Sequence, residues 1–246
     1  MAPSVDLKPL VAAMPDPDAR QMYCTDIDAE KIETAVAEIH KGGRDALLGL
    51  IDMLVEPAVG DGVKPHYALH CLALAVCKMD DKKPRQEFAA TLASQLGGDR
   101  TKDVQKYLVQ EIQTAGGPAV VPSLGKLLAD ADLCEPAARA IVAIGQGAAD
   151  QLRAALPKAK GKCRLTIIQN LGVVRDAPSA AALRKALGDE DRDIRLAAAW
   201  ALANIGDPGA VDLLLKAADA AQGWVRIQLT KACLLLAERL KAAEKA

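Results

Sequence analysis

The chain has 246 residues, a net charge of −1 from 31 basic and 32 acidic side chains, 51% hydrophobic residues and 2% aromatic ones. This apolar fraction excludes intrinsic disorder, near neutrality argues against a protein built mainly to grip nucleic acid, and no apolar run is long enough to span a membrane. With so few aromatics the core has to be built from Ala, Leu, Ile and Val, a composition that favours helices over sheet.

Residues 1–28 contain Pro3, Pro9, Pro15 and Pro17 and predict an irregular segment with one short helix. Its Val5, Leu7, Leu10 and Val11 are placed to cover the apolar edge of whatever follows, as the ends of stacked repeats require. The start lacks the basic n-region and apolar h-region of a secretory signal. The six cysteines include no C-x-x-C and fall mostly at apolar periodic positions. A free thiol there behaves as a small hydrophobe, which predicts a reducing, cytoplasmic compartment, although an exported chain lacking its leader would begin the same way.

From Ile32 onward one five-slot apolar pattern recurs with helical spacing. The slots read Ile32, Val36, Ile39, His40, Gly43, then Lys64, Ala68, Cys71, Leu72, Ala75, and Val104, Leu108, Glu111, Ile112, Ala115. They continue as Leu133, Ala137, Ala140, Ile141, Ile144, then Cys163, Ile167, Asn170, Leu171, Val174. The last two copies are Ile194, Ala198, Ala201, Leu202, Ile205 and Val225, Leu229, Ala232, Cys233, Leu236. Repeat starts near 32, 64, 104, 133, 163, 194 and 225 leave one long step, filled by Lys78–Pro84 and Gly97–Arg100, where longer turns are expected. A second amphipathic segment is expected after each window, following a Gly- or Pro-marked break, as in Gly206-Asp207-Pro208-Gly209 before Val211, Leu214, Leu215 and Ala218. Asp207 ahead of Pro208 reads as an N-cap followed by proline at the first helical position. Residues 238–245 read as a polar terminal helix.

A pair of short helices cannot bury its apolar face alone, whereas stacked pairs share one continuous core. The expected fold is therefore all-α, a right-handed α-solenoid of about seven helical hairpins over 29–246. The window Ile194-Arg195-Leu196-Ala197-Ala198-Ala199-Trp200-Ala201-Leu202-Ala203-Asn204-Ile205-Gly206-Asp207, echoed by Ala140-Ile141-Val142-Ala143-Ile144-Gly145, resembles the HEAT-repeat family. More narrowly, it resembles the short bacterial HEAT-like repeats found in phycobilisome lyases.

Few residues suggest chemistry. His66 and His70 stand four apart on one predicted helix face, a spacing that can chelate Zn²⁺. They lack an evident third ligand, and their alignment with Leu196 and Trp200 reads as surface or groove histidines. His40 falls in an inward slot and reads as a core histidine bonded to a carbonyl. Glu111 and Asn170 fall in the Ala201 slot, where an unpaired polar group is costly, so each is expected to have a partner. Arg164, Arg195 and Arg226 form one ladder and Asp176 and Asp207 another, and the HEAT resemblance implies that such ladders bridge adjacent units. Arg153, Lys158, Lys160, Lys162 and Arg164 form a basic cluster with no acid between them, which can attract nucleic acid but has no interleaved aromatics for stacking.

No H-E-x-x-H, G-x-S-x-G, P-loop or G-x-G-x-x-G sequence is present. Deoxyhypusine hydroxylase, a HEAT-repeat enzyme, holds iron with repeated His-Glu pairs, and this chain has no His-Glu dipeptide. The expectation is a non-enzymatic scaffold, without cofactor, that binds a protein or peptide partner on its concave face. A bilin lyase-type accessory protein and a nucleic-acid-binding HEAT-like protein are the alternatives.

Overall fold

The computed structural model describes residues 5–20, 23–56 and 58–243. Pro3, Glu244 and Lys245, which figure in the sequence reading of the two ends, lie outside them. The fold is all-α: among the described residues no strand forms, and one antiparallel bridge joins Pro17 to Cys24.

The helices are α1 (Leu7–Ala12), α2 (Ala29–Lys41), α3 (Gly43–Asp52), α4 (Val63–Lys78), α5 (Lys83–Ala93), α6 (Lys102–Ala115) and α7 (Val121–Gly125). They continue with α8 (Cys134–Ile144), α9 (Ala148–Ala155), α10 (Gly161–Val173), α11 (Ala180–Ala186), α12 (Arg192–Ile205), α13 (Val211–Ala220) and α14 (Gly223–Ala243). Every repeat start read from the sequence lies within, or one residue ahead of, α2, α4, α6, α8, α10, α12 or α14. The first six of these helices are each followed by a shorter second helix. The seventh, α14, instead runs on through its Ala-, Lys- and Glu-rich end, where no Gly or Pro stops it. The contacts divide the chain into two compact units, Met1–Ser123 and Leu124–Ala246, with the boundary inside α7.

In the first unit, α1 lies against the first hairpin. Val5 packs beside Gly42 and Leu7 beside Gly49 at distances that leave no room for a Cβ on either glycine. Val11 and Met14 are buried, and Lys64 ties the segment to α4 through Asp16 at 2.8 Å. The long step between the second and third hairpins is held by polar contacts. Buried Gln105 accepts from the Gly97 amide at 2.9 Å and donates to the Arg100 carbonyl at 2.8 Å. Arg100 in turn reaches Asp52 at 2.6 Å.

In the second unit, successive first helices pack through small residues. A Cβ on Gly172 of α10 would sit 2.7 Å from the Ala201 Cα and 2.8 Å from Trp200 Cζ3 of α12, so glycine is what permits this approach. The core slots Ile194, Ala198, Ala201 and Leu202 are buried, Leu202 completely. Gly206 ends α12 in the left-handed region at φ 79°, and its amide and that of Asp207 both bond the Leu202 carbonyl at 3.1 Å, satisfying an end-of-helix acceptor. Side-chain bonds span three consecutive first helices: Asn204 donates to the Gly172 carbonyl at 2.7 Å, and Arg239 donates to Asn204 Oδ1 at 2.9 Å.

The aspartate ladder has a different partner from the one its local sequence suggests. Neither Asp176 nor Asp207 caps the turn it precedes with its side chain. Instead, Arg153 Nε and Nη2 donate to the Asp176 carboxylate at 2.9 and 2.7 Å, and Arg184 Nη1 donates to both Asp207 oxygens at 3.0 and 2.9 Å. Each arginine sits on the second helix of the preceding hairpin. The ladder thus links neighbouring units, but through Arg153 and Arg184. Arg164 reaches Asp189 at 3.2 Å, while Arg195 donates to the Asp189 and Glu190 carbonyls at 2.8 and 2.9 Å and so holds the turn ahead of its own helix.

Candidate functional site

The sequence-selected histidines belong to a polar cluster between α4 and α6 in the first unit. Residues four apart share a helix face, and His66 and His70 do so on α4, but their nitrogens turn to different partners. His66 is buried rather than at the surface. Its Nδ1 faces the Gly62 carbonyl at 2.9 Å and its Nε2 faces Glu56 at 2.9 Å. Both neighbours are oxygen acceptors, so both bonds form when the ring carries both hydrogens. The loop ahead of α4 brings Glu56 over the ring. Tyr107 of α6 packs against it with the rings tilted by 60° and 4.5 Å between centroids, and donates its hydroxyl to the His66 carbonyl at 2.6 Å.

His70 Nδ1 lies 3.1 and 3.2 Å from the two oxygens of Glu111, 41 residues away on α6. Glu111 is completely buried, and half of the His70 side chain stays in solvent. Burial raises the Glu111 carboxyl above its ordinary range, opposed by the hydrogen bond and charge of His70. Burial, followed by the charge of Glu111, drives the Tyr107 hydroxyl far upward, and burial with the Glu111 charge raises Cys71. The partner expected for Glu111 is thus an imidazole from the preceding repeat. Asn170, in the same slot, donates to the Thr166 carbonyl of its own helix at 2.8 Å.

A shared metal would need the imidazole nitrogens to converge, and these are directed at Glu56, Gly62 and Glu111. Among the described residues no group of three His, Cys, Asp or Glu side chains is placed to hold a metal ion. What the cluster can do is clamp α4 to α6 across the longest step of the repeat. Glu56 and Tyr107 carried no signal in the repeat spacing. His40 is only half-buried and, among the described residues, bonds no carbonyl; it lines a groove between the first two hairpins.

The basic cluster is largely neutralised by acids brought in by the fold. Arg153 pairs with Asp176 and Asp150, Lys162 with Glu135 at 3.4 Å, and Arg164 with Asp189. Acids absent from the segment itself therefore face three of its five cations.

The large apolar side chains on α12 and α14 present a different surface. Trp200 is 39% exposed, Trp224 55%, Ile227 53% and Leu234 66%. Trp224 lies under the Arg192 guanidinium at 5.6 Å, a cation–π contact at the rim. No helix among the described residues is long and apolar enough to cross a membrane.

Residues 149–233 match the family described as HEAT repeats. No curated protein matches the chain. Among solved structures, an engineered protein from a structural genomics consortium shares 20% identity at a TM-score of 0.47, covering 95% of this chain and 69% of its own. Computationally designed armadillo repeat proteins for modular peptide recognition share 17% at a TM-score of 0.42, covering 94% and 99%. Human deoxyhypusine hydroxylase in complex with glycerol shares 15% at a TM-score of 0.34, covering 96% of each chain. Overlaps at this level carry no functional argument. The likeness of residues 149–233 to HEAT repeats rests on the family match.

Proposed function

We propose that this protein is a non-enzymatic binding scaffold whose HEAT repeats hold a protein or peptide partner against apolar side chains of the α12–α14 pair. The observation that carries the reading is the position of the two tryptophans. In a chain with 2% aromatic residues, both Trp200 and Trp224 lie partly in solvent, on neighbouring helices of the HEAT segment. Single exposed apolar residues are ordinary on any surface. Two tryptophans with Ile227 and Leu234 on adjacent helices form the kind of anchor set that dominates binding energy at protein interfaces. No catalytic constellation competes with this reading in the sequence.

The test is affinity capture from the native source with the wild-type chain and with Trp224→Ser and Leu234→Glu variants, both at solvent-exposed positions. The expected result is a stoichiometric partner retained by the wild type and lost by the variants. Equal retention by all three, or none by the wild type, overturns the reading.

A further inference from the structure

The first unit contains a groove of about 730 Å³ between its first two hairpins. That volume lies within the range of small-molecule sites, which pair an apolar floor with a few orienting polar groups. Ile39, Leu47, Leu72, Val76 and Phe88 form the floor, and Phe88 is the single phenylalanine of the chain. His40 and Arg44 stand on the wall made by the first hairpin, and neither makes a hydrogen bond or ion pair among the described residues. On the opposite wall, Lys83 and Glu87 face each other at 3.8 Å, and Asp81 accepts from the Lys83 amide at the start of α5. One wall thus carries two carboxylates and one ammonium, while the other carries a guanidinium and an imidazole above an apolar floor. A guanidinium binds a carboxylate through two parallel N–H bonds.

We infer that this groove is a binding site for a small organic anion with an aliphatic body, a free medium-chain carboxylic acid, with the carboxylate on Arg44 and His40 and the chain along Leu72, Val76 and Phe88. The site is independent of the α12–α14 surface, so either can fail without the other.

Calorimetric titration of the whole chain with sodium octanoate, sodium decanoate and 1-decanol tests it. Decanoate is expected to bind at one saturable site, about fourfold more tightly per added methylene than octanoate. Decanol is expected to bind at least about tenfold more weakly than decanoate, because it lacks the charge that pairs with Arg44. Arg44→Ala, at an exposed residue with no partner to lose, should weaken decanoate about tenfold and leave decanol unchanged. Ala90→Trp, at the exposed mouth of the groove, should block both. Absence of decanoate binding, equal affinity for decanol, or undiminished binding by Arg44→Ala or Ala90→Trp overturns the assignment.

Discussion

His70 and Glu111 are neighbours in space at 3.1 Å although 41 residues separate them, and the carboxylate of this pair is completely buried while the imidazole reaches solvent. The contact joins the second and third repeats at their longest step. It also determines how stability should respond to pH.

Glu111 has a raised carboxyl in the folded state. Its contribution is therefore fully present below the ordinary carboxylate value of 4.5 and is lost as pH rises through the raised folded value. Glu111→Gln keeps the shape and removes the buried charge. In urea unfolding at pH 4.5 and 7.5, the variant should gain stability relative to wild type at the higher pH; parallel profiles would contradict the assignment. Glu111→Ala, which leaves a cavity and removes the partner of His70, should be destabilised at both.

Gly172 is the last residue but one of α10, and in a helix alanine ordinarily stabilises over glycine by up to about 1 kcal/mol. Here the sign should reverse, because the new methyl would meet the Ala201 Cα at 2.7 Å. Forcing a methyl into a packed seam costs about 1–3 kcal/mol. A higher Tm for Gly172→Ala would show that α10 and α12 approach less closely than described.

Leu202 is fully enclosed, and truncation to Ala should cost about 2–5 kcal/mol in denaturant unfolding. Since each repeat contacts its neighbours, damage at this position should also broaden or split the transition. A small loss with a sharp single transition would argue against an enclosed seam.

Arg195→Ala removes two bonds to the Asp189 and Glu190 carbonyls and should lower stability by about 1 kcal/mol. Arg153→Ala and Arg184→Ala should each lower Tm more than Lys158→Ala, because Asp176 and Asp207 are left buried without their partners. Equal melting temperatures across the three would remove the ladder from the account of stability.

Burial, with the neighbouring Cys134 thiol, pushes Cys163 up to about 12. The thiolate is the reactive form, so iodoacetamide at pH 8 should leave Cys163 unmodified in the folded chain and label it on unfolding. Rapid native-state labelling would place that thiol in solvent.

The repeat, its seven first helices and most of the inward slots, though not His40 or Gly43, were legible from sequence, because an apolar stripe at helical spacing is a local property of the chain. Partner choice was not legible. Asp207 has the local look of a cap, yet its carboxylate belongs to Arg184 of the preceding hairpin. His66 reads as a surface residue until Glu56 and Tyr107 close over it. Spacing within one helix fixes which face a residue occupies. Which charge, ring or carbonyl lies opposite depends on how neighbouring hairpins stack, and that is decided where non-local contacts bury the apolar seam.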